Sequence, residues 1–452
     1  MNLFKESPET WQSNVAKDIT FIVTKDCQLA CKYCYLVGKN EKERMLWEVA
    51  KKAIDYILSH ENDMREESVV WDFIGGEPFL EIDLIDRICD YLKTEMFRRN
   101  HHWFNSYRFS FSTNGINYDS EKVQRFIQKN KEHLSIGITI DGTEVKHDLN
   151  RIYKGTGKGS YGSVVRNIPL WLKQFPNGGT KVTISSADIP YIKESVLHLY
   201  GLGIHEVNIN CVFENVWKAG DDILFQEQLM LLADEIIDKG YYKDYACSFF
   251  SENIGKPLDP VFENNNWCGA GRMLAVDAHG IFYPCTRFAQ YSLREKNAWV
   301  IGNINDGINK NKLRPFLALD RISQSPRECI ECEVASGCAW CQGENYDAAA
   351  DSIGDLEHGL DIKNKQLYQL DHAPICRHCD AWQCKRCIWL NRKMTLEVNT
   401  PSHEQCVLAH LERNASRELL QNIRKYGTFL PEQEEIKEID YLDPFDKRDE
   451  WQ

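Results

Sequence analysis

The chain has 452 residues, 43% of them apolar and 27% charged, enough for two or three domains with a sizeable core. Its mean hydropathy is −0.47 and no run approaches ~18 consecutive apolar residues, which excludes a membrane-spanning helix. A net charge of −13 argues against nucleic acid as a partner, and the first twenty residues carry Glu6, Glu9 and Lys17 without an apolar stretch, so no secretory signal is expected.

In chain order, a short extension (1–17) leads into alternating β-branched runs and amphipathic segments. Strands are predicted at 20–24, 69–74, 107–112, 134–140, 181–185 and 206–212. Helices are predicted near 42–59, 81–98, 119–131, 161–174 and 190–202. Six strand–helix units in series predict an α/β fold, a partial (β/α)6 TIM-like barrel over 18–220, with functional residues at the C-terminal ends of its strands. A bridging helical region follows (221–259). From 260 to 410 cysteine, glycine and turn residues dominate, and such a stretch is expected to be held by metal more than by a hydrophobic core. A helix (411–426) and an acidic tail close the 411–452 segment; nine acids face three bases over 432–450, the pattern of a solvated end.

Seventeen cysteines are too sparse in a chain this long for a disulfide scaffold. Most fall in tight groups, which reads as metal ligation. Directly after the first strand stands Cys27-Gln-Leu-Ala-Cys31-Lys-Tyr33-Cys34. Three thiolates on one loop suit three corners of a [4Fe–4S] cube and fit structural zinc poorly, since zinc normally takes four ligands. The glycine-rich segment at 155–160 lacks the spacing of a phosphate-binding loop and reads as a plain loop.

The triplet resembles the CxxxCxΦC signature of radical S-adenosylmethionine (SAM) enzymes. The second strand ends in Gly75-Gly76-Glu77-Pro78, which resembles that family's GGEP motif, and the third in Ser112-Thr113-Asn114-Gly115, which resembles its STNG turn. After the fourth come Thr139-Ile140-Asp141-Gly142 and His147-Asp148-Leu149-Asn150-Arg151, with Thr139 standing where the family usually has serine. The resemblance implies that Cys27, Cys31 and Cys34 hold the catalytic [4Fe–4S] cluster. It further implies that Tyr33, Gly75, Gly76, Glu77, Ser112, Asn114, Thr139 and Arg151 surround bound SAM, with an arginine fork suited to its carboxylate.

Further on, Cys268, Gly280-x4-Cys285 and Cys329-x2-Cys332-x5-Cys338-x2-Cys341 resemble the SPASM domain of radical SAM peptide maturases, with Cys376 as its closing cysteine. The family spacing before Cys341 is three residues, and here it is two. That domain implies two auxiliary [4Fe–4S] clusters. One partition gives a closed site (Cys329, Cys332, Cys338, Cys376), an open one (Cys268, Cys285, Cys341), and four thiols left over. Those four are Cys379, Cys384, Cys387 and Cys406, enough for one tetrahedral zinc; equally, they supply the clusters or stay free. Cys89, Cys211 and Cys247 read as plain core residues. His378, His403 and His410 read as surface histidines or as ligands and donors near the metal.

The cysteine-rich ending resembles most the maturases that act on CXXX-repeat peptides and form thioether (ranthipeptide-type) crosslinks. The expected activity is hydrogen abstraction by a 5′-deoxyadenosyl radical from a precursor peptide bearing a leader, followed by attack of a peptide cysteine. An external flavodoxin- or ferredoxin-type donor supplies the electron, and a cytoplasmic setting is expected. Carbon–carbon crosslinking, epimerisation and formylglycine-type sulfatase maturation are the alternatives. In the last group an aspartate follows the Gly-x4-Cys cysteine; here it is Thr286, which cannot serve as that base.

Overall fold

The computed structural model describes residues 16–39, 41–214, 216–250, 269–294, 296–318, 331–335, 341, 346–347 and 403–426, and the account below concerns these. They divide into two compact units: 16–182 with 201–206 and 269–318, and a second made of 183–200, 207–250 and the described parts of 331–426.

The first unit is built on strands β1 (Ala16–Thr24), β2 (Ser68–Gly75), β3 (Tyr107–Thr113) and β4 (Leu134–Ile138), joined by helices α1 (Trp47–Ser59), α2 (Ile82–Arg98) and α3 (Glu121–Asn130). All four strands are parallel neighbours in chain order. Alternation sets the two faces. Ile19, Phe21, Val69, Trp71, Phe73 and Phe109 are wholly buried on one face. Their aromatic rings stack across the strands, Phe21 on Phe73 at 5.8 Å and Phe73 on Phe111 at 5.1 Å. Such cross-strand pairs hold the register and keep the strand ends level. Helical spacing does the same work opposite: Ala50, Ala53, Ile54 and Ile57 of α1, and Ile85, Ile88, Leu92 and Met96 of α2, are buried stripes.

After α4 (Glu144–Asn150), α5 (Tyr161–Val165) and α6 (Ile168–Gln174) comes β5 (Gly179–Ile184), then α7 (Ile192–Gly201), β6 (Glu206–Cys211), α8 (Asp221–Asp238) and β7 (Ala246–Cys247). All six expected strands are therefore present, but they are dealt into two sheets, with β5-β6-β7 separate from β1–β4. Thr180 explains the break. Its hydroxyl donates to Ile138 O (2.7 Å) and accepts from Ile140 N–H (3.1 Å), so a side chain occupies the place of the backbone ladder beside β4.

A second difference concerns the segment after 260. β8 (Leu274–Val276), β9 (Ile281–Tyr283), β10 (Gly302–Asn303) and β11 (Gly307–Ile308) extend the first sheet, β8 pairing parallel to β1 and the rest antiparallel, to give the order β11-β10-β9-β8-β1-β2-β3-β4. Leu274, Val276, Phe282, Phe288, Leu293 and Ile301 are buried, so 269–318 has an ordinary apolar core. Strands of two or three residues carry too little alternation to be read from sequence. Two further helices close the described chain, α9 (Lys310–Ala318) and α10 (His403–Tyr426). Among the described residues, no helix is long and apolar enough to cross a membrane.

Candidate functional site

The loop after β1 is clamped on both arms. On one, Ala30 N–H donates to Ile152 O (2.8 Å), Lys32 N–H to Asn150 O (3.1 Å) and Lys154 N–H to Gln28 O (2.9 Å), a short ladder between 28–32 and 150–154. On the other, Val37 N–H donates to Tyr291 O at 2.6 Å, and the Arg287 guanidinium lies 4.8 Å from the Tyr35 ring centroid. Cys27 is buried while Cys31 and Cys34 are half-buried, and none of the three is in a disulfide. Leu29 N–H donates to Cys27 Sγ (3.3 Å) and Cys34 N–H to Cys31 O (3.2 Å). Burial pushes the Cys27 thiol up to about 11, so it ionises only with a cation to compensate.

Three unpaired thiols and a backbone donor to sulfur suit an iron–sulfur cluster. Among the described residues, no three Cys, His, Asp or Glu side chains converge to hold a single metal ion. A cube differs in that its thiolates go to separate irons.

The end of β2 lies against this loop. Gly76 N–H donates to Thr24 O and Glu77 N–H to Asp26 O, both at 2.9 Å. A Cβ on Gly75 would stand 2.2 Å from Thr24 O and one on Gly76 2.2 Å from Asp26 O. The two glycines are thus required by backbone approach, independently of any ligand. Glu77 is 1% exposed and staples β2 to β3. Its Oε1 accepts from Thr113 Oγ1 (2.7 Å) and Phe79 N–H (3.1 Å), and its Oε2 from Asn114 N–H (2.7 Å). Burial raises its pKa, against these donors and the Arg151 charge. Asn114 completes the link: its Nδ2 reaches Gln28 Oε1 at 3.0 Å and Cys27 Sγ at 3.8 Å.

Replacing Glu77 with alanine strands three buried donors, at about 1–3 kcal/mol each. We expect Glu77→Ala to destabilise the chain by roughly 3–5 kcal/mol in denaturant unfolding, and Glu77→Gln, which keeps one acceptor oxygen, to lose about half of that.

Arg151 is 6% exposed; its Nη1 donates to the Tyr33 hydroxyl (3.0 Å), and its Nε is buried with no hydrogen-bond partner. Tyr33 donates in turn to Asp141. Asp141 and Lys146 are both fully buried, 3.8 Å apart. Burial alone would raise the Asp141 carboxyl, but the Lys146 and Arg151 cations hold it below the usual carboxylate range. His147 accepts from Asp141 N–H at Nδ1 (3.2 Å), so its Nε2 carries the proton and faces Ser160 Oγ (3.0 Å), which donates to Arg151 O (2.8 Å). Burial, then the Arg151 charge, pushes His147 down to about 3, which keeps it neutral. Sequence reasoning nominated Tyr33 and Arg151 but missed Asp141, Lys146 and His147 as their support. The signal was the Asp-Gly step and the histidine four residues before Arg151.

Ser112 lies on the polar face of β3, its hydroxyl 3.3 Å from Lys181 Nζ, and Thr139 N–H donates to Thr113 O at 2.9 Å. Cys285 is half-buried in the same unit, its Sγ accepting from Arg287 N–H (3.4 Å). Cys332 and Cys341 belong to the second unit, where Cys332 Sγ is 3.8 Å from His410 Nε2. Cys268, Cys329, Cys338, Cys376, Cys379, Cys384 and Cys387, with His378 and the acidic tail, lie outside the described residues, as do the side chains of His403 and Cys406.

Residues 21–188 match the profile of the Radical SAM superfamily, so the chain carries a radical SAM domain, which implies SAM and a [4Fe–4S] cluster. The chain is 29% identical over 308 residues to uncharacterized protein MJ0907 of Methanocaldococcus jannaschii, covering 66% of this chain and 91% of that one. It is 22% identical over 371 residues to a serine-type anaerobic sulfatase-maturating enzyme of Bacteroides thetaiotaomicron, covering 76% and 85%. Its fold is similar to the solved structure of native anSMEcpe with bound AdoMet, with a TM-score of 0.51 at 18% identity, over 70% of this chain and 88% of that one.

Proposed function

We propose that this protein is a radical SAM maturase of a ribosomally synthesised precursor peptide, of the group acting on CXXX-repeat peptides, and that it joins a cysteine sulfur to a carbon of an acceptor residue. The observation that carries this reading is the doubly clamped loop of three thiols at the end of β1, faced by Glu77, Asn114 and Arg151 from the ends of the following strands and helix. When bound, the [4Fe–4S] cluster and SAM supply the one-electron chemistry that breaks C–H bonds.

The chain's own residues bind and orient. Cys27, Cys31 and Cys34 hold the cluster. Gly75, Gly76 and the lone pair left on Glu77 receive the SAM amino group. The unpartnered Nε of Arg151, aimed by Tyr33 and Asp141, meets its carboxylate, and Ser112, Asn114 and Thr139 supply polar contacts. Held in this way, the reacting groups gain the entropic advantage of proximity. Residues 18–220 form the radical SAM domain, 221–259 a bridging region, 260–410 a SPASM-type domain and 411–452 a helix and tail. The two auxiliary clusters take ligands from Cys268, Cys285, Cys329, Cys332, Cys338, Cys341 and Cys376. Cys379, Cys384, Cys387 and Cys406 hold zinc or complete the clusters. A flavodoxin- or ferredoxin-type protein supplies electrons, and the reaction runs in the cytoplasm.

Formylglycine-type maturation is the second reading, favoured by the relative named as a sulfatase-maturating enzyme. Thr286 after Cys285 speaks against it. The test is anaerobic incubation of the reconstituted enzyme with SAM, reductant and a synthetic CXXX-repeat peptide. Thioether formation predicts deoxyadenosine, loss of two hydrogens per link and one thiol lost to alkylation. A new aldehyde would overturn it in favour of the second reading.

A further inference from the structure

The glycine-rich segment that follows Arg151 has no part in the reading above. In the structure it is a hairpin set directly on the cysteine loop. Residues 28–32 pair with 150–154, Leu29 opposite Tyr153, and the chain then folds back so that Gly159 stands opposite Ile152. Tyr153 N–H donates to Lys158 O (2.7 Å) and Gly157 N–H to Tyr153 O (3.0 Å), which closes the turn. Gly155 and Gly157 take φ values of +81° and +66° there, a region open to glycine without steric cost. A Cβ on either would meet no heavy atom within 4 Å, and 154–158 are all exposed. The tip is shaped by its own hydrogen bonds and projects into solvent.

Its charge sets this surface apart from the rest of the chain. Over 25–44 and 150–160 together, eight bases stand against three acids, in a protein of net charge −13. The three acids already have cations: Glu41 and Glu43 meet Lys25 (3.2 and 3.0 Å), and Asp26 meets Lys154 (3.1 Å). Asp148 of α4, against Gly159, accepts from Tyr161 N–H (2.8 Å). Lys32, between Cys31 and Tyr33, and Lys158, on the hairpin, are exposed and form no ion pair with the described residues. The hairpin also reaches the thiols. Asp26 Oδ1, which receives the Lys154 ammonium, accepts from Cys27 N–H as well (2.9 Å). Cys31 and Cys34 are only half-buried, so a cluster on them lies near this surface.

We propose that Lys32 and the Lys154–Lys158 hairpin form the docking surface for an acidic one-electron carrier of the flavodoxin class. This rests on the radical SAM part of the proposed function, which requires a cluster reduced from outside, and not on thioether formation. One electron leaves the carrier and enters the cluster; no bond forms or breaks and no proton moves. Electron transfer between proteins weakens steeply with distance, so the carrier must sit where the thiols approach the surface. Uncompensated cations at that place draw in an anionic partner and raise its encounter rate about tenfold or more, in a salt-dependent way.

The test measures deoxyadenosine released from SAM by the anaerobic holoenzyme, without peptide, under two reductants. One is an acidic flavodoxin held reduced and below saturation; the other is reduced methyl viologen, a small cation that lysines do not attract. In the Lys32→Glu/Lys158→Glu double variant the flavodoxin-driven rate is expected to fall about tenfold or more, while the viologen-driven rate stays at or above that of wild type. Lys32→Arg/Lys158→Arg keeps the charge and should stay within about twofold of wild type under flavodoxin. Raising salt from about 50 to about 300 mM should slow the flavodoxin-driven rate of wild type and not that of the glutamate variant.

An unaltered flavodoxin-driven rate in the glutamate variant overturns the proposal, and a defect that appears only once the precursor peptide is added assigns the lysines to the peptide instead. An equal loss under both reductants also overturns it, since the lysines would then act on the cluster or on SAM. Should the glutamate variant fail to retain iron, the salt response of wild type decides, a flat one counting against the surface. If wild type turns over with viologen and not with flavodoxin, the carrier class falls and the surface with it, while the radical SAM chemistry stands. If neither reductant yields deoxyadenosine, the proposed function falls first.

Discussion

Replacing Cys27, Cys31 and Cys34 together by alanine is expected to abolish deoxyadenosine formation from SAM, a loss of at least a thousandfold, and to remove about four iron per chain. Wild type should hold about twelve iron, four for each of three clusters. The loop itself should persist, because backbone hydrogen bonds to 150–154 and to Tyr291 hold both its arms, whereas among the described residues sulfur accepts only from Leu29 N–H and Asn114 Nδ2 at Cys27. Retained SAM cleavage, or iron unchanged in the variant, would remove the basis of the proposed function. A wild-type content near four would confine the loss to the auxiliary clusters and the thioether mechanism.

Acid should destabilise the first unit through His147, and the direction follows from its burial. The folded chain holds this imidazole neutral down to about 3, against an ordinary value of 6.5. As pH falls below 6.5 the unfolded chain takes up a proton that the folded chain refuses, so stability declines across 6.5 to 3. At 1.36 kcal/mol per pKa unit the decline amounts to roughly 4 kcal/mol. Asp141 adds to it with the same sign. Its folded carboxyl is held below the usual range by Lys146 and Arg151, so its contribution is present above the ordinary carboxylate pKa and lost as pH falls through its folded value. Urea unfolding at pH 7 and pH 4.5 checks this. His147→Gln keeps an acceptor and a donor without titrating, and the variant should lose markedly less stability than wild type between those two pH values. An equal loss in both would rule out His147 as the source.

Much of the site was legible in advance because parallel strand–helix units end their strands on one side. A cysteine triplet after the first strand, a Gly-Gly-Glu-Pro after the second and an arginine beyond the fourth had to converge once the strands were aligned. Strand positions were readable for the same reason, since four to eight residues of alternating β-branched and aromatic side chains carry their own period. Sequence reading gave Gly75 and Gly76 the role of ligand contacts. Their structural requirement comes from a backbone 2.2 Å from where a Cβ would sit, and no local pattern records such an approach.

The sequence alone determined which thiols, carboxylates and cations the first unit has to work with, their order along the chain, and the strands and helices that carry them. These are local properties, set by period and residue type. Tertiary structure decided the rest. Thr180 replaced a ladder and split six strands between two sheets, and two- and three-residue strands from 269–318 joined the edge of β1. Long-range packing buried Asp141, Lys146 and His147 behind Tyr33 and Arg151, and register set Asp18 and Asp72 on one face. Each depends on pairing between residues tens to hundreds of positions apart, where burial and neighbouring charge, absent from any local window, fix which groups ionise and which stay neutral.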